Sequence, residues 1–185
     1  MITANDLRRG TIFEWEGELY RVVEYRHTYL GRGNATVRVK MRNLRTGAAI
    51  ERTFTPEDRI NDVRLELREV QYLYNDGSLY YFMDTETYAQ PALSAELLGD
   101  AVNYLTENMT LQISTHEGEP IGIVLPVTVD LKVIEAPPGF AGDTATSATK
   151  QVTLETGFKV NAPLFVEEGD IVRVDTRTGQ YLSRL

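Results

Sequence analysis

The 185-residue sequence contains no cysteine, so disulfides, thiolate metal sites and thiol nucleophiles are all excluded. It has two histidines, His27 and His116, far apart and without paired carboxylate spacing, so no metal site is expected. No apolar run approaches the roughly 20 residues that span a bilayer. The opening residues, MITANDLRRG, lack the basic and apolar regions of a signal peptide. These absences predict a cytoplasmic protein with no membrane contact. No G-x-S-x-G elbow is present, nor any legible Ser/His/Asp arrangement. The stretch GRGNA lacks the rest of a P-loop pattern and runs into a strand rather than a helix. The expectation is therefore a protein that is not an enzyme and carries no cofactor and no metal.

Acid is also missing from one window. The formal net charge is −8, which argues against general nucleic-acid binding. Yet residues 1–63 carry a net +2 and residues 64–185 a net −10. From Tyr25 to Ile50 there is no Asp or Glu, while Arg26, Arg32, Arg38, Lys40, Arg42 and Arg45 are all basic. A polyanion would bind there, and the rest of the chain would repel one except at local basic spots.

What is present is a series of short strands with period-2 alternation, separated by turn residues about every 8–12 positions. Leu19 to Tyr25 reads as a strand. In ATVRVKMRN, Val37, Val39 and Met41 take one face and Arg38, Lys40 and Arg42 the other. Hairpin turns are predicted at Arg45-Thr46-Gly47, at Asn75-Asp76-Gly77 and near Glu117-Gly118. The one clear helical stretch is PALSAELLGDAVNYL, with Ser94 placed to cap it and Gly99 to interrupt it. Tyr81–Gln90 and Val172–Tyr181 share a strand followed by Asp-Thr-x-Thr, which points to two similar barrels after a distinct N-terminal one. The prediction is an all-β chain of three small modules, 1–64, 65–127 and 128–185. With no long heptad or large apolar patch legible, a monomer is expected.

Between the strands at Leu19–Tyr25 and Val37–Met41 the chain reads as a long hairpin that holds out Arg32 between Gly31 and Gly33. Arginine offers five donors in a rigid fork and stays charged, so it suits phosphate or base edges and is a poor choice for proton transfer. The face of Arg38, Lys40 and Arg42 is either a solvated surface or a track for a phosphate backbone.

The stretches YLGRGNATVRVKMRNLRTG, ERTF, REVQYLY, YYFMDTETY, GDT at Gly142–Thr144, and PLFVEEGDIVRVDTRTGQY at Pro163–Tyr181 run the length of the chain. In them the sequence resembles the bacterial elongation factor P family, with the last segment the most specific. That resemblance implies an N-terminal KOW/SH3-like barrel followed by two OB-fold barrels. It implies a partner, the 70S ribosome, engaged through both subunits between the peptidyl and exit sites. There the factor would contact peptidyl-tRNA and ribosomal RNA, with mRNA in the exit site, and relieve stalling at consecutive prolines. Arg32 would stand at the family's tip position by the CCA end of peptidyl-tRNA, within a tip loop of Leu30, Gly31, Gly33, Asn34 and Ala35. An arginine there leaves rhamnosyl-arginine or no modification. Arg26, Arg38, Lys40 and Arg42 would follow tRNA or rRNA backbone. Gly142, Asp143 and Thr144 match the loop that approaches the exit-site codon, with Lys150 at its far end. Tyr181 and Arg184 match C-terminal positions that contact transfer RNA. Two other readings remain: a paralogous elongation-factor-P-like protein with other clients, and an acidic OB-type scaffold that binds proteins.

Overall fold

The computed structural model describes residues 1–29, 35–139 and 148–185. Among these the chain is mostly strand. The N-terminal strands are β1 (Ile2–Thr3), β2 (Ile12–Trp15), β3 (Glu18–Thr28), β4 (Thr36–Asn43), β5 (Ala49–Phe54) and β6 (Arg59–Asp62). They form one sheet in the order β1-β6-β2-β3-β4-β5. The sheet is barrel-like and closes on Ala4, Leu7, Phe13, Val22, Val37, Val39, Met41, Phe54 and Ile60. Each large apolar side chain so buried contributes about 1.5–3 kcal/mol. Val37, Val39 and Met41 are fully buried, and the basic residues between them face out, as alternation predicts.

A second sheet has the order β11-β10-β7-β8-β9, built from β7 (Glu66–Asn75), β8 (Leu79–Asp84), β9 (Ala92–Ser94), β10 (Thr110–His116) and β11 (Glu119–Val124). Asp76 accepts the amides of Ser78 and Leu79 at 2.9 and 2.8 Å, which tightens the predicted Asn-Asp-Gly turn. Between β9 and β10 lies α1 (Ala95–Leu98), whose Leu97 amide donates to the Ser94 side chain at 3.2 Å. Gly99, with φ 57°, ends the α-helix, and a 3-10 helix runs on to Tyr104. A third sheet, β14-β13-β12-β15-β16, comprises β12 (Thr128–Glu135), β13 (Thr149–Leu154), β14 (Lys159–Pro163), β15 (Ile171–Asp175) and β16 (Tyr181–Arg184). Tyr104 inserts into this sheet's apolar core beside Val129, Leu131 and Val133.

The described chain separates into two compact units. One is residues 1–68 with 113–122, and the other is residues 69–112 with 123–185. The tip of the β10–β11 hairpin thus belongs to the first unit, where Glu119 receives the Arg45 guanidinium at 2.8 Å.

One turn recurs three times. Asn43, Asp84 and Asp175 each end a strand, each is buried, and each accepts through its side-chain oxygen the amide two residues on. The amide four residues on returns to the same residue's carbonyl: Gly47 to Asn43, Tyr88 to Asp84 and Gly179 to Asp175. Sequence comparison finds two copies, at Asp84 and Asp175. Among the described residues the structure adds a third, at Asn43, where the turn is spelled with asparagine.

Candidate nucleic-acid interface

The β3–β4 ladder is longer than its apolar core requires. Alternation predicts a strand ending at Tyr25, but pairing continues through Arg26↔Arg38 and His27↔Val37 to Thr28↔Thr36. The register shifts between Val22 and Glu24, leaving Val23 as a bulge. A bulge moves every later side chain to the opposite face. Here it turns Tyr25 toward the first core, against which it packs partly buried, and sends Glu24 and Arg26 outward with Arg38 and Lys40.

The outer face therefore carries charges in rows. Arg26 stands opposite Arg38 and Arg21 opposite Arg42. Between these pairs, Lys40 lies between Glu24 on β3 and Glu51 on β5. Arg38 reaches Glu51 at 3.4 Å and Lys40 reaches Glu24 at 3.8 Å, all four side chains well exposed. Such exposed pairs are worth ~0–1 kcal/mol and are screened by salt. A shallow cavity of about 150 Å³, lined by Glu24, Arg26, Arg38, Lys40 and Glu51, lies among them.

This corrects the picture of an acid-free cationic end. The window from Tyr25 to Ile50 is free of acid along the chain, but the residues that flank it, Glu24 and Glu51, lie across the strands from its cations. Arg21, Arg26 and Arg42 make no ion pair among the described residues. Like charges directly opposite in a sheet cost a few tenths to about 1 kcal/mol. A face that keeps two such arginine pairs has fixed donors on offer to an anion. Its side chains are guanidinium, ammonium and carboxylate groups, so its chemistry is charge and orientation. Among the described residues no three His, Asp or Glu side chains gather as a metal site, and no helix is long and apolar enough to cross a membrane.

Of the tip loop, Ala35 is described and half-buried just before β4. Leu30, Gly31, Arg32, Gly33 and Asn34 lie outside the described residues, as do Gly142, Asp143 and Thr144. Leading up to the first loop, the His27 ring stacks on Tyr29 with centroids 4.3 Å apart.

In the third sheet the structure brings Lys150 and Arg184 together around Asp170. Arg184 lies 3.4 Å from the Asp170 carboxylate, donates to the Phe165 carbonyl, and stacks its guanidinium 4.9 Å from the Phe165 ring centre. Lys150 donates to the Pro137 carbonyl at 2.9 Å. Amide donation from Glu167 is the main cause that holds the Asp170 carboxyl below its usual range, with Arg184 and Lys150 adding to it. Tyr181 is partly buried against the third core. These candidate cations are engaged within the chain, whereas Arg26 and Arg42 of the first sheet make no ion pair among the described residues and Arg38 and Lys40 only exposed ones. Sequence reasoning missed Phe165, whose ring is more than half exposed. The only available signal was its position two residues beyond Pro163, at the end of a strand.

Family comparison supplies the identity. The model for the elongation factor P KOW-like domain matches residues 3–60, that for its OB domain residues 65–123, and that for its C-terminal domain residues 129–184. The chain belongs to the elongation factor P family. The elongation factor P of Moorella thermoacetica is 54% identical over 184 residues, and that of Caldicellulosiruptor saccharolyticus 49% over 185, each alignment covering both chains fully. This is a family of translation factors rather than classical enzymes. The described fold is accordingly a KOW-like domain, then an OB domain and a C-terminal domain. A solved structure, the eukaryotic translation initiation factor 5A from Methanococcus jannaschii, shares the fold of part of the chain. Its TM-score is 0.53 at 19% identity, over 66% of this chain and 90% of that one.

Proposed function

We propose that this chain is an arginine-tip elongation factor P that binds the ribosome between the peptidyl and exit sites and holds peptidyl-tRNA in a reactive position. Its three modules would be 1–64, 65–127 and 128–185, acting as a cytoplasmic monomer. The observation that carries the reading is the row Arg26↔Arg38 near the end of the β3–β4 ladder. Two unneutralised or half-neutralised guanidiniums stand where the chain leaves for the Gly31-Arg32-Gly33 tip. Backbone phosphate binds this row and Arg21, Arg42 and Lys40 below it, while Arg32 meets the CCA end, either rhamnosylated or bare. Ribosomal RNA is a further partner along the same face. Gly142, Asp143 and Thr144 approach the exit-site codon in mRNA, and Lys150, Tyr181 and Arg184 support that end.

Proline is a slow acceptor because its ring fixes φ and its amine is secondary. A factor that orients the donor lowers the entropic part of the barrier and needs no catalytic group of its own. The test is a reconstituted translation reaction on a reporter with three consecutive prolines. Added protein should restore full-length product and leave a proline-free reporter unchanged. Equal product with and without the protein on the proline reporter would remove the proposal. Intact mass of the protein from its own host distinguishes rhamnosyl-arginine from the bare side chain.

A further inference from the structure

A cavity of about 480 Å³ opens in the second unit, lined by Tyr72, Tyr74, Tyr80, Glu107, Glu155 and Thr156 among others. Its size falls in the range of small-molecule sites, roughly 300–1,000 Å³. No lysine or arginine lines it, so its two carboxylates have no cation at hand. Glu107 makes no hydrogen bond or ion pair among the described residues. One Glu155 oxygen is used by the Lys132 amide at 2.8 Å, which fixes the carboxylate and leaves the other oxygen open.

The aromatic wall is also set for a cation. Tyr72 and Tyr80 pack with centroids 6.1 Å apart and planes inclined by 30°, and the Tyr72 side chain is 4% exposed. The hydroxyl oxygen of Tyr72 accepts from Asn75 Nδ2 at 3.2 Å. Its second lone pair has no donor among the described residues. Burial is the main cause that raises the Tyr72 phenol above its ordinary value, and the negative charge of Glu107 adds to it. Glu107 and Tyr72 both line the cavity. Carboxylates and aromatic faces favour an ammonium group over an anion.

We propose that this cavity binds an aliphatic diammonium ion, with its methylene chain against the Tyr80 ring, which Tyr72 backs from within, and its charged ends at Glu107 and Glu155. Two carboxylates from separate segments match two charged heads, and a single ammonium would leave one of them unpaired. The site is independent of the tip arginine and of the basic face in the first sheet.

The experiment is a titration of the full-length protein with 1,4-diaminobutane at constant ionic strength, followed by backbone amide shifts. Saturable shifts centred on Tyr72, Tyr80, Glu107 and Thr156 are expected, with 1-aminobutane binding several-fold more weakly. Glu107→Gln and Tyr80→Leu should each weaken the diamine about threefold, in line with one lost exposed ion pair and one lost aromatic contact. Glu168→Gln, an exposed acid away from the cavity, should leave binding unchanged. Shifts that fail to saturate or that spread evenly over the acidic surface would overturn the site. So would a Glu107→Gln protein that binds as wild type does, and equal affinity for the monoamine would overturn the two-headed ligand.

Discussion

The first and third sheets close a hairpin with the same turn and surround it differently. Asn43-Leu44-Arg45-Thr46-Gly47-Ala48 and Asp175-Thr176-Arg177-Thr178-Gly179-Gln180 share their backbone hydrogen bonds, and both glycines have φ 72°. In the first, Arg45 leaves the turn and pairs with Glu119. In the third, Arg177 folds back on Asp175 at 2.7 Å and, with the Arg177 amide, holds that carboxyl at about 2. A β-carbon at Gly47 would meet open space, whereas one at Gly179 would meet Phe158 and Tyr104 at 3.2 Å. The turn geometry is thus a local property of a short polar side chain at a strand end. What a substitution there does is decided by the neighbours.

Replacing each glycine separates these two contributions. Gly179→Ala should cost about 3 kcal/mol, combining left-handed strain with crowding in a packed site. Gly47→Ala should cost only about 1 kcal/mol, since strain alone acts there. Urea unfolding of the two variants measures the difference, and equal losses would show that crowding at Gly179 is relieved at no cost. Asn43→Ala comes next, at about 2 kcal/mol, because the amides of Arg45 and Thr46 both lose their acceptor.

Acid separates the turns by charge. The folded Asp175 value of about 2 lies below the ordinary 3.8. Its contribution is therefore complete above pH 4 and is lost as the pH falls toward 2. Asn43 does not titrate. Urea midpoints of wild type and Asp175→Asn across this range should converge as the pH falls, and parallel curves would contradict the assignment. The smallest effect on stability is expected for Arg26→Ala, within about 0.5 kcal/mol of wild type, because an exposed side chain and an opposed like charge are both removed. The same variant should weaken ribosome binding and lower its salt slope by about one. An unchanged slope would mark the β3–β4 face as merely solvated.

Much of the fold was legible because it follows from local pattern. Val37, Val39 and Met41 announce an inward face by alternation, and Ser94 and Gly99 bracket a helix by their capping chemistry. The bulge at Val23 was not legible, since Val-Val-Glu-Tyr gives no sign of which residue leaves the ladder. Without it the outward placement of Arg26 cannot be derived. Nor could a linear charge window show that Glu24 and Glu51 reach its cations, because cross-strand register brings them there. The third copy of the turn was hidden by residue identity. An asparagine amide oxygen does what a carboxylate oxygen does, so Asp-Thr-x-Thr was too narrow a description. At the candidate site, sequence reasoning found the basic residues but could not tell free cations from engaged ones. Arg184 and Arg26 look alike in sequence, and only packing shows one held by Asp170 and Phe165.

The central claim is that one guanidinium, Arg32, positions peptidyl-tRNA for reaction with proline. It is tested most directly by the rate of peptide bond formation between a peptidyl-tRNA ending in proline and an incoming prolyl-tRNA. The measurement is made on purified ribosomes with wild-type protein or Arg32→Ala. The account predicts that the variant folds and unfolds as wild type does and gives no acceleration over ribosomes alone. Acceleration equal to that of wild type would contradict it.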